Sequence, residues 1–104
     1  DQAGLFVSFR GALALDDHID LPDTPPNPCT TCVTQPCRTG CPVNALTPQG
    51  YDVAACKAYL DTAHGQDCMT NGCAVRRACP VSQGFGRLSE QSGYHMRQFK
   101  GEKR

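Results

Sequence analysis

The sequence has no tryptophan and a single isoleucine, Ile19. Leu, Ile, Val and Phe together make eighteen of 104 residues, about 17%. That falls under the roughly 20% at which packing alone holds a domain together. Net charge is also lacking: ten basic residues balance ten acidic ones. A neutral chain gives no general reason to bind nucleic acid or an anionic membrane. Neutrality with only modest polarity also argues against plain disorder. No apolar run approaches the roughly 20 residues of a membrane-spanning helix. A secretory signal is missing too, because the apolar stretch Leu5 to Leu15 is broken by Arg10 and followed by acidic residues. The first residue is Asp1, not Met, as expected of a trimmed piece of something larger. The length suits one small domain.

What the chain has instead is cysteine. Cys29, Cys32, Cys37, Cys41, Cys56, Cys68, Cys73 and Cys79 all lie in its middle. They form one run, Cys29-x2-Cys32-x4-Cys37-x3-Cys41-Pro42, and a second, Cys68-x4-Cys73-x5-Cys79-Pro80, with Cys56 alone between them. In a chain this small, disulfides or metals usually supply what the core cannot.

Three chemistries compete for these thiols. Disulfides need an oxidising compartment, and the Cys29-x2-Cys32 spacing is too tight for an ordinary structural bridge. Two tetrahedral zinc ions would use eight thiolates, but zinc ribbons and fingers normally pair two short Cys-x2-Cys hooks. Iron–sulfur binding accounts for more of the pattern. Closely spaced cysteines wrap one side of a cubane, and the last ligand arrives from elsewhere. In two-cluster ferredoxins the final cysteine of a run, the one before proline, ligates the other cluster. Both runs here end in Cys-Pro.

Applied to this chain, the rule gives one 4Fe–4S cluster to Cys29, Cys32, Cys37 and Cys79, and a second to Cys41, Cys56, Cys68 and Cys73. The count closes at four and four only if Cys56 is a ligand. Two interlocked loops then organise the chain, and metal binding becomes folding free energy. Pro42 and Pro80 turn the chain sharply after a ligand, or act simply as breakers. With four thiolates each, two oxidised clusters bring the loaded domain to a charge of about −4. Arg76 and Arg77, inside the second run, can pair with Asp side chains or offset that charge. Solvated surface arginines are the commoner case.

Elsewhere the signals are local. Leu5, Val7 and Phe9 alternate as one face of a short N-terminal strand or hairpin, with Gly11 as a bend. Such a strand needs a sheet, supplied by a missing domain or another chain, or else packs on this domain's own helices. Residues 16–28 read as an acidic, proline-stiffened connector. His18 sits there and is not expected to ligate metal, since cysteine fills both sites. Asp52 caps a helix expected to run to about His64 and stop at Gly65. On that helix Val53, Cys56 and Leu60 share one face. Ser89 is expected to cap a final helix, with Glu90 in its first turn and Arg97 and Lys100 in its last. Tyr94, Met96 and Phe99 are expected to pack on the domain, and His95 to be structural. Lys100, Lys103 and Arg104 form a weakly basic tail.

The two cysteine runs, with Cys56-Lys57-Ala58-Tyr59-Leu60 between them, resemble the iron–sulfur module of epoxyqueuosine reductases. More broadly they are similar to the helical ferredoxin-like modules of corrinoid reductive dehalogenases. The resemblance spans about residues 28–82. Ligand spacings here are wider than the family's x2-x2-x3 and x2-x3. The resemblance implies a mainly α, helical ferredoxin-like fold binding two 4Fe–4S clusters, with the same crossed ligand pairing. It does not extend to the reductases' cobalamin-binding part, so no catalytic residue is carried over. Taken together the expectations are three segments: 1–28 as strand and connector, 29–82 as the two-cluster domain, 83–104 as helix and tail. The expected partner is a redox protein or a covalently linked reductase domain. The expected setting is reducing and cytoplasmic.

Overall fold

The computed structural model describes residues 2–101. The basic tail residues Lys103 and Arg104 fall outside them. About 47% of the described residues are helical, and one small antiparallel hairpin completes the regular structure. The α-helices are α1 (Val53–Leu60), α2 (Gln66–Asn71), α3 (Ala74–Ala78), α4 (Pro80–Phe85) and α5 (Ser89–Lys100). Single 3-10 turns occupy Gly4–Phe6, Pro28–Thr31 and Pro36–Arg38. The mainly helical expectation therefore holds at the level of architecture.

The strand lies in a different place from the one expected. Strands β1 (Leu46–Thr47) and β2 (Gly50–Tyr51) pair antiparallel, with Leu46 opposite Tyr51. Pro48 and Gln49 make the turn, and Thr47 Oγ1 bonds the Gly50 carbonyl at 2.8 Å. At the N-terminus, Leu5 instead belongs to a 3-10 turn that docks on α4. Its backbone N–H is taken by Ser82 Oγ at 2.9 Å, which leaves no ladder to extend. Gly4, with φ +58°, permits this approach, because a Cβ there would lie 2.6 Å from the Ser82 nitrogen. Beyond it the alternating apolar residues face solvent, Phe9 and Leu13 being 90% exposed. The expected strand does not form: only the turn Gly4–Phe6 docks on α4, and Val7 and Phe9 are exposed.

The Asp52 cap is present: its side chain accepts the Ala55 N–H at 3.0 Å. We expect Asp52→Ala to cost about 1 kcal/mol, read as a shift in the urea midpoint at unchanged slope. The helix it opens is shorter than expected, ending at Leu60 and not near His64. Thr62 ends it. Its N–H and hydroxyl both donate to the Tyr59 carbonyl, at 3.0 and 2.6 Å. That hydroxyl also accepts the Gly65 N–H at 3.0 Å. Gly65 thus opens α2 instead of closing α1.

The core is as thin as the composition implies. Leu60 is 1% exposed and packs with Cys68 and Met69, while Cys56, Tyr59, Ala74 and Met96 lean on this group. Of the eighteen large aliphatic and phenylalanine side chains, only Leu60 and Val75 are buried. Helices α2 and α5 form the most extensive packing between elements. They meet through small residues: Ser92 and Gly93 are buried, and a Cβ on Gly93 would stand 3.0 Å from the Thr70 carbonyl. Ser89 is the first residue of α5 and Leu88 precedes it as the cap, so the expected Ser89 cap is one position out. Leu88 makes no side-chain cap bond. Met96 packs on the core as expected, while Tyr94 and Phe99 stay partly exposed, Phe99 stacking on Tyr51 at 6.4 Å.

Candidate cluster-binding site

All eight cysteines are free thiols. The disulfide chemistry weighed from the sequence is therefore not seen. Four of them come together from three parts of the chain. Cys41 ends the first run and is followed by a turn in which the Asn44 N–H bonds its carbonyl. Its sulfur accepts the Ala45 N–H at 3.4 Å. Cys56 projects from α1 beside Leu60, Cys68 is buried on α2, and Cys73 stands at the head of α3.

Tyr51, on β2, connects them. Its hydroxyl lies close enough to Cys56, Cys73 and Cys41 for all three to act on its charge. Burial first, then the neighbouring Cys56, pushes its ionisation well above the ordinary phenol range. Cys68 responds to the same neighbourhood. Burial pushes its thiol up, the Ala74 N–H pulls it back, and Cys73 and Arg77 act on it with opposite signs. A cavity of about 500 Å³ is walled by Cys41, Cys56, Cys73, Tyr51, Arg76 and Arg87 among others. Tyr51 and Arg87 carried no signal in the sequence. Neither lies in a motif, and a hairpin and a loop bring them in.

The two adjacent arginines divide their work. Arg77 is tied down: Nη2 meets the Asp67 carboxylate and Nε donates to the Gly72 carbonyl at 2.8 Å. It clamps the end of α2, which carries Cys68, against α3. Hydrogen bonds from Arg77, then Asn71, hold the Asp67 carboxyl below its ordinary value. A depressed carboxylate stabilises the fold above the unfolded value near 3.9, and that contribution is lost as pH falls below it. The pair is half exposed, so solvent screening limits it to about 1 kcal/mol. Asp67→Asn should cost up to that amount at pH 7 and flatten the stability curve below about pH 4, as followed by chemical denaturation across pH. Arg76, by contrast, borders the cavity.

The other four cysteines are less closely drawn together. Cys79 precedes α4, and the N–H of Ser82 is the main influence lowering its thiol, with Val81 and Leu5 adding to it. Cys37 sits in the turn Pro36–Arg38, which packs on α3, the helix leading into Cys79. A Cβ on Gly40 would be 3.4 Å from Ala78 Cβ, which marks how close that approach is. Cys29 is exposed in the turn Pro28–Thr31, held locally by Asn27 Oδ1 at 3.0 Å from its N–H. That turn does not pack extensively on any other element. His18 lies apart, 3.6 Å from Asp20 on the surface. Among the described residues, no three His, Cys, Asp or Glu side chains close on a single point as one metal ion requires. Nor is any described helix long and apolar enough to cross a membrane.

The fold and site define a cysteine-rich, mainly helical domain in which three thiols line one cavity and a fourth, Cys68, is buried in the core beside Cys56. Comparison with known proteins is in keeping with this. The chain is 30% identical over 102 aligned positions to the epoxyqueuosine reductase of Vibrio cholerae serotype O1, covering 86% of this chain. It spans only 27% of that relative's length. No protein-family profile matches the chain, and no solved structure does.

Proposed function

We propose that this chain binds two 4Fe–4S clusters and relays single electrons, as the iron–sulfur part of a larger reductase. The observation that carries the reading is the position of Cys41. It ends the first cysteine run, yet it stands with Cys56 and Cys73 at one cavity and shares Tyr51 with them. That is the crossing by which interleaved two-cluster ferredoxins complete each site. Cys68, coupled to Cys73, supplies the fourth thiolate. The cavity suits an anionic group, because Arg76 and Arg87 both line it. Cys29, Cys32, Cys37 and Cys79 would hold the other cluster.

A bound 4Fe–4S cluster supplies a one-electron couple whose potential depends on charge, hydrogen bonds to sulfur and solvent exposure. The chain sets each of these. The Ala45 N–H directs a hydrogen bond at the sulfur of Cys41, and the Tyr51 hydroxyl lies close to Cys56. Leu60 and Met69 pack behind Cys56 and Cys68 and keep water out. The Arg77–Asp67 pair fixes the helix that presents Cys68. The larger-reductase context is favoured by the relative, of whose length the chain spans about a quarter.

Eight thiolates can hold two zinc ions or two cubanes, and the ending of both runs in Cys-Pro favours the cubanes. Elemental analysis of the anaerobically purified chain tests this. About eight iron and eight sulfide per chain are expected of two cubanes. Zinc without iron or acid-labile sulfide would refute the proposal.

A further inference from the structure

The cavity that Cys41, Cys56 and Cys73 line is also lined by Arg76, Arg87 and His95, and its lining includes no acidic residue. Arg87 donates from Nη1 to the Phe6 carbonyl at 3.1 Å, and its guanidinium carbon lies 5.2 Å from the Phe6 ring centroid. This leaves Nε buried and unbonded. Arg76 lines the same cavity and is close enough to depress the ionisation of Arg87, after burial. His95 completes the wall and feels Arg87, Arg10 and Arg76 together. Among the described residues, the ion pairs are Arg77–Asp67, Lys100–Asp61 and His18–Asp20, so no carboxylate serves Arg76 or Arg87. Gathering guanidinium groups at a partly buried surface without an anion is costly. The fold keeps them at the cavity that three thiols also line.

We infer that Arg87, assisted by Arg76, is the counter-charge for the cluster held by Cys41, Cys56, Cys68 and Cys73, and raises its reduction potential. The inference rests on the two-cluster reading above. With four thiolates an oxidised cluster carries about −2, and one added electron makes it about −3. No bond forms or breaks in that step; the electron comes from an external one-electron reductant. A fixed cation stabilises the more negative state more, so it favours reduction. Arg76 and Arg87 line the cavity of this quartet, so the shift is expected in its couple.

The test is an EPR-monitored redox titration of the full chain with dithionite, after its iron and sulfide have been counted. In Arg87→Gln, one couple should move to more negative potential. At the wild-type midpoint its reduced-to-oxidised ratio should fall about tenfold, equivalent to ~59 mV for one electron. The other couple should stay in place, and Arg87→Lys should restore most of the shift. Arg76→Gln, at an exposed position, should move the same couple in the same direction by less. If Arg87→Gln does not load its clusters, Arg76→Gln decides: a negative shift supports the inference and an unmoved couple overturns it. Two loaded clusters with both potentials unchanged in Arg87→Gln would overturn it while leaving the two-cluster proposal standing. A wild-type chain without iron would overturn both.

Discussion

Cys41→Ala is expected to halve the iron content, from about eight to about four per chain, and to remove the same EPR signal that Cys68→Ala removes. The two residues belong to different runs in the sequence. Their equivalence follows from where Cys41 stands, beside Cys56 and Cys73 at one cavity. Cys29→Ala should remove the other signal instead. If ligands followed sequence order, Cys41→Ala and Cys29→Ala would delete the same signal, and Cys68→Ala a different one. A thiol-to-methyl change at Cys41 also removes the acceptor for the Ala45 N–H. The surviving cluster therefore serves as the control for folding: its spectrum must persist for the comparison to count.

Gly65→Ala is expected to be the most damaging substitution that touches no ligand. A Cβ there would lie 2.0 Å from the Tyr59 carbonyl oxygen and 2.9 Å from Leu60 Cα. Those are backbone atoms at the corner between α1 and α2 and cannot swing aside. Overpacking of this kind costs about 1–3 kcal/mol or more. At about 4–8 °C per kcal/mol for a domain of this size, the melting temperature should fall by roughly 10–20 °C. Because the corner sets Cys56 against Cys68, cluster loading at the second quartet should weaken as well. A melting temperature within 3 °C or so of wild type would mean the corner yields more easily than its contacts indicate.

The cysteine pattern was legible in the sequence and the residues around it were not, for identifiable reasons. Cysteine spacing and the two Cys-Pro pairs are local, and a crossing rule can be applied to them without coordinates. Asp52 was legible for the same reason, since a cap acts within one turn. The end of α1 was not, because Thr62 and Gly65 both fit a simple helix stop. Only the approach of Gly65 to the Tyr59 carbonyl shows that it begins the next helix. The N-terminal alternation of Leu5, Val7 and Phe9 had no way of announcing Ser82, which is 77 residues from Leu5 and takes its N–H. Arg87 was invisible for a related reason. Nothing near it in sequence binds metal, and its place at the cavity is fixed by the Phe6 carbonyl, 81 residues away. Arg76 and Arg77 were noticed together, but only the fold could separate the one bound to Asp67 from the one facing the thiols.

The most direct test is spin counting by EPR on the anaerobically purified, fully reduced chain. Two one-electron cubanes predict about two spins per chain together with a brown protein that bleaches on reduction. A colourless protein with no spins and zinc bound to its thiols would contradict the account at its root.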